Sequence, residues 1–154
     1  MLFRRLGLCG LCLALGMAHA APPSAPAPTR ARSPIDIATS STSIYIGKVT
    51  LLVPRLVRSP SGYAATYKAR VFPFFFENES GDFSIDLSDD QLRQLERGER
   101  VQFTGQARNT DGDIRRIDGH ATPTDTASGK IKVRIYVSKR IVLVFNTTYR
   151  FADK

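Results

Sequence analysis

The sequence predicts an all-β domain, an antiparallel sandwich or a small closed barrel of seven to eight strands with one short helix at about 88–98. Three observations carry this expectation. Apolar residues recur with a period of two almost everywhere after Ile35, clusters of Gly, Pro, Asn and Ser punctuate the runs, and a single stretch switches to helical spacing with cap chemistry at both ends.

The first strands lie in a β-branched run containing Ile44, Ile46 and Leu52, which Ser59-Pro60-Ser61-Gly62 closes as a turn. Tyr63 to Phe76 reads as a second long strand bent at Pro73, because proline cannot donate to a ladder. Phe83, Ile85 and Leu87 alternate with Ser84 and Asp86 in the next. The helix follows: Ser88 and Gln91 form a capping box, Asp89 and Asp90 sit at the positive end of the dipole, Leu92 and Leu95 share a face, and Gly98 ends it. So short a helix needs tertiary support, so it is expected to plug one end of the sheet structure. Asn109-Thr110-Asp111-Gly112 makes a hairpin between Arg100–Arg108 and Asp113–Ala121, and the alternation of Ile131, Val133, Ile135 and Val137 continues through Ile141, Leu143, Phe145 and Tyr149.

This order of strands, helix and strand pair resembles that of an OB-fold. The stretch from Phe83 to Gly112 equally resembles the later half of an immunoglobulin-like bacterial domain. The two likenesses point to different folds, so neither carries a functional residue to this chain.

Ahead of the domain, Met1–Arg5 is basic, Leu6–Met17 is apolar and Ala18-His19-Ala20 is a small-x-small cleavage site, so residues 1–20 read as a signal peptide. The apolar run is shorter than the roughly 20 residues that span a bilayer, and a transmembrane helix is not expected. Residues 21–34, rich in Pro and Ala, read as a disordered segment, and 35–154 as a single β domain. The expected location is secreted or periplasmic.

Cleavage at Ala20 removes Cys9, Cys12 and His19. The leader's two arginines go with it, lowering the formal net charge from +8 to +6. Cysteine nucleophiles, disulfide scaffolds and multi-histidine metal sites are thereby excluded, and His120 is the one imidazole left, with no Gly-x-Ser-x-Gly elbow to serve. Asp89 and Asp90 are explained by the helix start and Asp111 and Asp113 by the hairpin, so no catalytic residue, metal or cofactor is assigned. The expected function is a non-enzymatic binding or accessory protein of the cell envelope or extracellular space. A secreted hydrolase using a carboxylate pair is the alternative, and a small outer-membrane β-barrel, prompted by the aromatic end of the last strand, a weaker one.

Two features could carry binding. Phe72-Pro73-Phe74-Phe75-Phe76 reads as core, with an exposed partner patch as its alternative. Lys130, Lys132 and Arg134 alternate along one strand, with Tyr136, Lys139 and Arg140 following, so they present a basic row to an anionic envelope component or a protein partner. Nucleic acid is not an expected partner. A carrier of lipids or small molecules would also need an apolar cavity.

Overall fold

A sheet with one apolar and one polar face can bury the apolar one by rolling up on itself, and this chain does so. The computed structural model describes residues 33–152, so the expected signal peptide and nearly all of the Pro/Ala-rich segment lie outside the described residues. The strands are β1 (Ile35–Ile37), β2 (Ser40–Ile44), β3 (Gly47–Leu52), β4 (Arg55–Ser59), β5 (Gly62–Phe72), β6 (Glu79–Asp86), β7 (Val101–Asn109), β8 (Ile114–Pro123), β9 (Ser128–Tyr136) and β10 (Val142–Phe151); the helix α1 spans Asp89–Glu96.

Ten strands make eight staves. β3 and β4, separated at Val53-Pro54, pair with opposite ends of β5, and β1 and β2 likewise pair with β4 and β3. Every neighbouring pair is antiparallel, successive staves are adjacent, and β1 closes the ring on β10 with Ile35 opposite Phe151. The result is an up-and-down closed barrel, which settles barrel against sandwich and departs from both resemblances: it is neither a Greek-key OB-fold nor an immunoglobulin-like sandwich.

The period of two sorts the side chains. Val133, Ile135, Phe83, Phe103, Phe145 and Ile117 are buried inside, while Lys130, Arg134, Gln102, Thr104, Asp82 and Asp86 are exposed on the outer wall. A barrel crossing a bilayer on its strands needs the reverse, an apolar outer band, so the outer-membrane alternative does not fit this wall. No helix among the described residues is long and apolar enough to cross a membrane.

The two poles differ. At one, Ser88 Oγ accepts from Gln91 N at 3.2 Å while Gln91 Oε1 accepts from Ser88 N at 2.8 Å, the expected capping box. Gly98 takes the left-handed conformation, φ +82°, where a Cβ is disfavoured, and its N–H bonds Leu95 O at 3.0 Å. Leu92 and Leu95 are buried and close this pole, as the expected plug does. Ser33 and Pro34 also dock here, their carbonyls accepting from Tyr63 Oη at 3.2 Å and Ala152 N at 2.8 Å.

The other pole is open. It is ringed by the connections β2–β3, β5–β6, β7–β8 and β9–β10. Here two expectations fail. The first β-branched run is not continuous, because the chain reverses at Tyr45-Ile46. The long strand ends at Phe72, and a 3-10 turn at Phe75–Glu77 leads into β6, so the phenylalanines do not alternate across a sheet: Phe72, Phe75 and Phe76 are exposed, and the core reading of the cluster is overturned.

Candidate functional site

Several inward positions nearest the open pole carry small or modest side chains, Ala69, Val71, Ala107 and Val137, where the waist carries Phe83, Phe103 and Phe145. Small residues leave space. A cavity of about 620 Å³ opens between the mouth loops, its wall mainly apolar. A second space of about 40 Å³ lies deeper, and Leu51, Phe83 and Phe145, which line both, form the partition between them.

One polar cluster interrupts the apolar wall. Arg115 on β8 points inward and grips Glu79 on β6 with both edges of its fork, Nε to Oε1 at 3.2 Å and Nη2 to Oε2 at 2.5 Å, while its Nη1 donates to Val137 O at 3.0 Å. The Tyr67 hydroxyl on β5 donates to Glu79 Oε1 at 2.5 Å, and Asn109 Nδ2 on β7 reaches Oε2 at 3.4 Å. Asn109 also holds the hairpin it begins, accepting from Asp113 N at 2.7 Å. That turn is the expected one, with Gly112 at φ +92°.

The electrostatics follow from this geometry. Burial is the largest single influence on Glu79 and favours the neutral form, but the hydrogen bonds from Arg115 and Tyr67, together with the Arg115 charge, outweigh it and hold the carboxyl below its ordinary value. The Tyr67 hydroxyl is pushed well up by burial first, then by the Glu79 carboxylate. The pair is therefore ionised and internally neutral. At the lip of the cavity stands Arg140, whose charge no carboxylate among the described residues engages within ion-pair distance.

The expected basic row is present in part. Lys130 lies between Thr122 and Thr148, Lys132 between His120 and Asn146, and Arg134 between Asp118 and Val144, all on the outer wall. Tyr136 follows on that wall, covered by the Arg116 guanidinium at 4.2 Å from its ring centre. Lys139 and Arg140 lie beyond the strand, at the open pole. A shallow groove beside α1 gathers Lys132, Arg134, Arg100 and His120 with Asp86 and Asp118. The His120 imidazole is held below its ordinary value by burial and then by the charges of Arg100, Lys132 and Arg134. No group of three or more potential metal ligands occurs among the described residues.

Sequence reasoning passed over Tyr67, Glu79 and Arg115. Parity was the available signal: Arg115 shares its phase with Ile117 and Ala121, Glu79 with Phe83 and Ile85, and Tyr67 with Tyr63, all inward. The chain matches no protein-family model, no curated protein and no solved structure.

Proposed function

We propose that this chain is an exported, non-enzymatic binding protein that takes one apolar or amphipathic small molecule into the open end of its barrel. The observation that supports the reading is the cavity. Its volume of about 620 Å³ lies within the roughly 300–1,000 Å³ usual for small-molecule sites, and its mainly apolar wall with one convergent polar cluster is the pattern such sites share. The internally neutral Glu79–Arg115 pair suits an uncharged body, and Arg140 at the lip suits an anionic end group.

Hydrolysis is less well supported. The cavity holds two carboxylates, Glu77 and Glu79, and a glycosidase needs one of its pair protonated near neutral pH. Glu79 is driven the opposite way by Arg115. A second binding reading, contact with an anionic envelope component through Lys130, Lys132 and Arg134, is favoured by the groove that collects Lys132 and Arg134 with Arg100 and His120.

Displacement of phenylnaphthylamine, a dye that brightens in apolar sites, tests the carrier reading. Ala69→Phe places a ring in the cavity and should weaken dye binding by roughly tenfold or more, about 1.4 kcal/mol per decade, while Lys132→Ser/Arg134→Ser should leave it unchanged. Equal affinity in Ala69→Phe and the parent chain would sink the proposal.

A further inference from the structure

Exposed apolar side chains are unevenly distributed over this barrel. Among the described residues nine large ones are exposed; five lie in three connections at the open pole, Phe72, Val142 and Ile114 are the strand-end residues beside them, and only Val57 lies elsewhere. Tyr45 and Ile46 form the tip of β2–β3. Phe72 ends β5 and Phe75 and Phe76 lie in the β5–β6 connection, with Phe75 packed edge-on against Phe72 at 5.7 Å and Phe76 81% exposed. Ile141 ends the β9–β10 connection and Val142 opens β10. Around the ring these loops are consecutive, since β10 neighbours the β1–β2 stave and β3 neighbours β5.

A solvated protein gains nothing from rings at loop tips, and a patch of this kind marks a contact surface. Its charge indicates which kind. Lys48 lies opposite Phe72 in the β3–β5 register, and Lys139 and Arg140 precede Ile141; no carboxylate of the described residues lies within ion-pair distance of any of the three. Three exposed acids share this pole, Glu77 after Phe76 and Asp111 and Asp113 on the β7–β8 hairpin, so the free cations stand on the β2–β3 and β9–β10 side of the ring. There the apolar residues beside them are complementary to an anionic lipid surface, whose acyl region takes the rings while its headgroups take the charges. The shape agrees. The tips surround an opening instead of forming a flat face, so a soft bilayer can seat them all. The first described residues, Ser33 and Pro34, dock at the closed pole, so among the described residues only the four connections named above ring the open one.

We infer that the open pole is a membrane-docking surface, which seats the loop residues Tyr45-Ile46 and Phe75-Phe76 and the rim residues Ile141-Val142 on an anionic bilayer so that the cavity faces the acyl region. Passage of a ligand between bilayer and cavity without crossing water rests on the carrier reading; docking itself does not.

Co-sedimentation of the purified chain with phosphatidylcholine vesicles, with and without phosphatidylglycerol, tests the inference. Binding should require the anionic lipid. Phe75→Ser/Phe76→Ser, both exposed and so expected to fold, should weaken it by roughly tenfold or more. Removing Lys139 and Arg140 as serines should cost about fivefold for each charge. Lys132→Ser/Arg134→Ser on the wall should change little. The chain has no tryptophan, so Phe75→Trp supplies a single reporter whose emission should shift to the blue on vesicles, whereas Ser84→Trp on the outer wall should not shift. Unchanged binding in the Phe75→Ser/Phe76→Ser variant, an unshifted emission from Phe75→Trp, larger losses from the wall variant, or loops that mediate self-association instead of vesicle binding would each overturn docking. Ala69→Phe separates the two ideas: it should lose the dye and keep the vesicles.

Discussion

Replacing Arg115 with methionine takes the cation out of the polar cluster while keeping much of its aliphatic bulk. Two hydrogen bonds to Glu79 and one to Val137 O are lost, and a carboxylate only 21% exposed is left without a guanidinium. Breaking a fully buried ion pair costs about 3–5 kcal/mol, and an exposed pair is worth about 0–1 kcal/mol. Glu79 is open to the cavity on one side, so about 2–3 kcal/mol at pH 7 is expected, which lowers a urea midpoint by roughly 1–2 M for a domain of this size. The pH dependence has a definite sign. In the parent chain the folded Glu79 lies below its ordinary value of 4.5, so its ionisation contributes stability above that value and the contribution is lost as pH falls through the folded value. In the variant, burial, which raises the carboxyl, is opposed only by Tyr67 and Asn109, so protonation on acidification relieves the folded state. The deficit should therefore shrink between pH 7 and about pH 4. Adding Glu79→Gln removes the stranded charge and should recover about half of the loss or more. A deficit below about 1 kcal/mol at both pH values, the range of an exposed pair, would refute the reasoning.

Gly98→Val should destabilise the domain by about 1 kcal/mol; nothing lies within 4 Å of the added Cβ, so the whole cost comes from φ +82°, and Gly98→Asn should lose less. An unchanged denaturant midpoint for the valine variant would place the helix end elsewhere. At the other extreme of the chain, intact-mass measurement of the exported product should give Ala21 as its first residue, and a membrane-held product keeping Met1 to Ala20 would reverse the expected location.

What the sequence made legible depended on how local the deciding contacts are. The α1 cap, the Gly98 terminus, the Asn109–Gly112 hairpin and the outward row Lys130, Lys132, Arg134 each follow from residues within a few positions of one another. Closure does not: barrel against sandwich turns on β1 meeting β10, Ile35 opposite Phe151, and no local pattern reports a pairing across almost the whole domain. The Tyr45-Ile46 reversal was hidden because its tip carries apolar residues in place of turn formers, and Phe72–Phe76 because an apolar run has the same composition in a core as on a rim. Both misreadings fall at the open pole, where local rules are expected to break if the surface has work to do. Arg115 and Glu79 are hidden for a different reason: a charged residue in the inward phase looks like a break in the apolar alternation until its partner, 36 residues away, is known.

The same period of two builds both ends of the barrel, so the difference between them lies in side-chain volume. Tyr63, Tyr149, Phe151 and the two helix leucines fill the closed pole, and three phenylalanines fill the waist. Toward the mouth the inward positions fall to Ala69, Ala107 and Val71, and the walls lose the packing that normally holds a protein interior at crystal-like density. The polar cluster stands at this transition. Tyr67, Glu79, Asn109 and Arg115 come from four successive staves, and the bond to Val137 O ties in the residue that follows β9. Hydrogen bonds of fixed length can brace strands across a space that side chains leave open, which packing cannot do. The ion pair is thus a strut for an underfilled mouth, and its loss should loosen β5, β6 and β8 near the cavity more than the waist beneath Phe83 and Phe145.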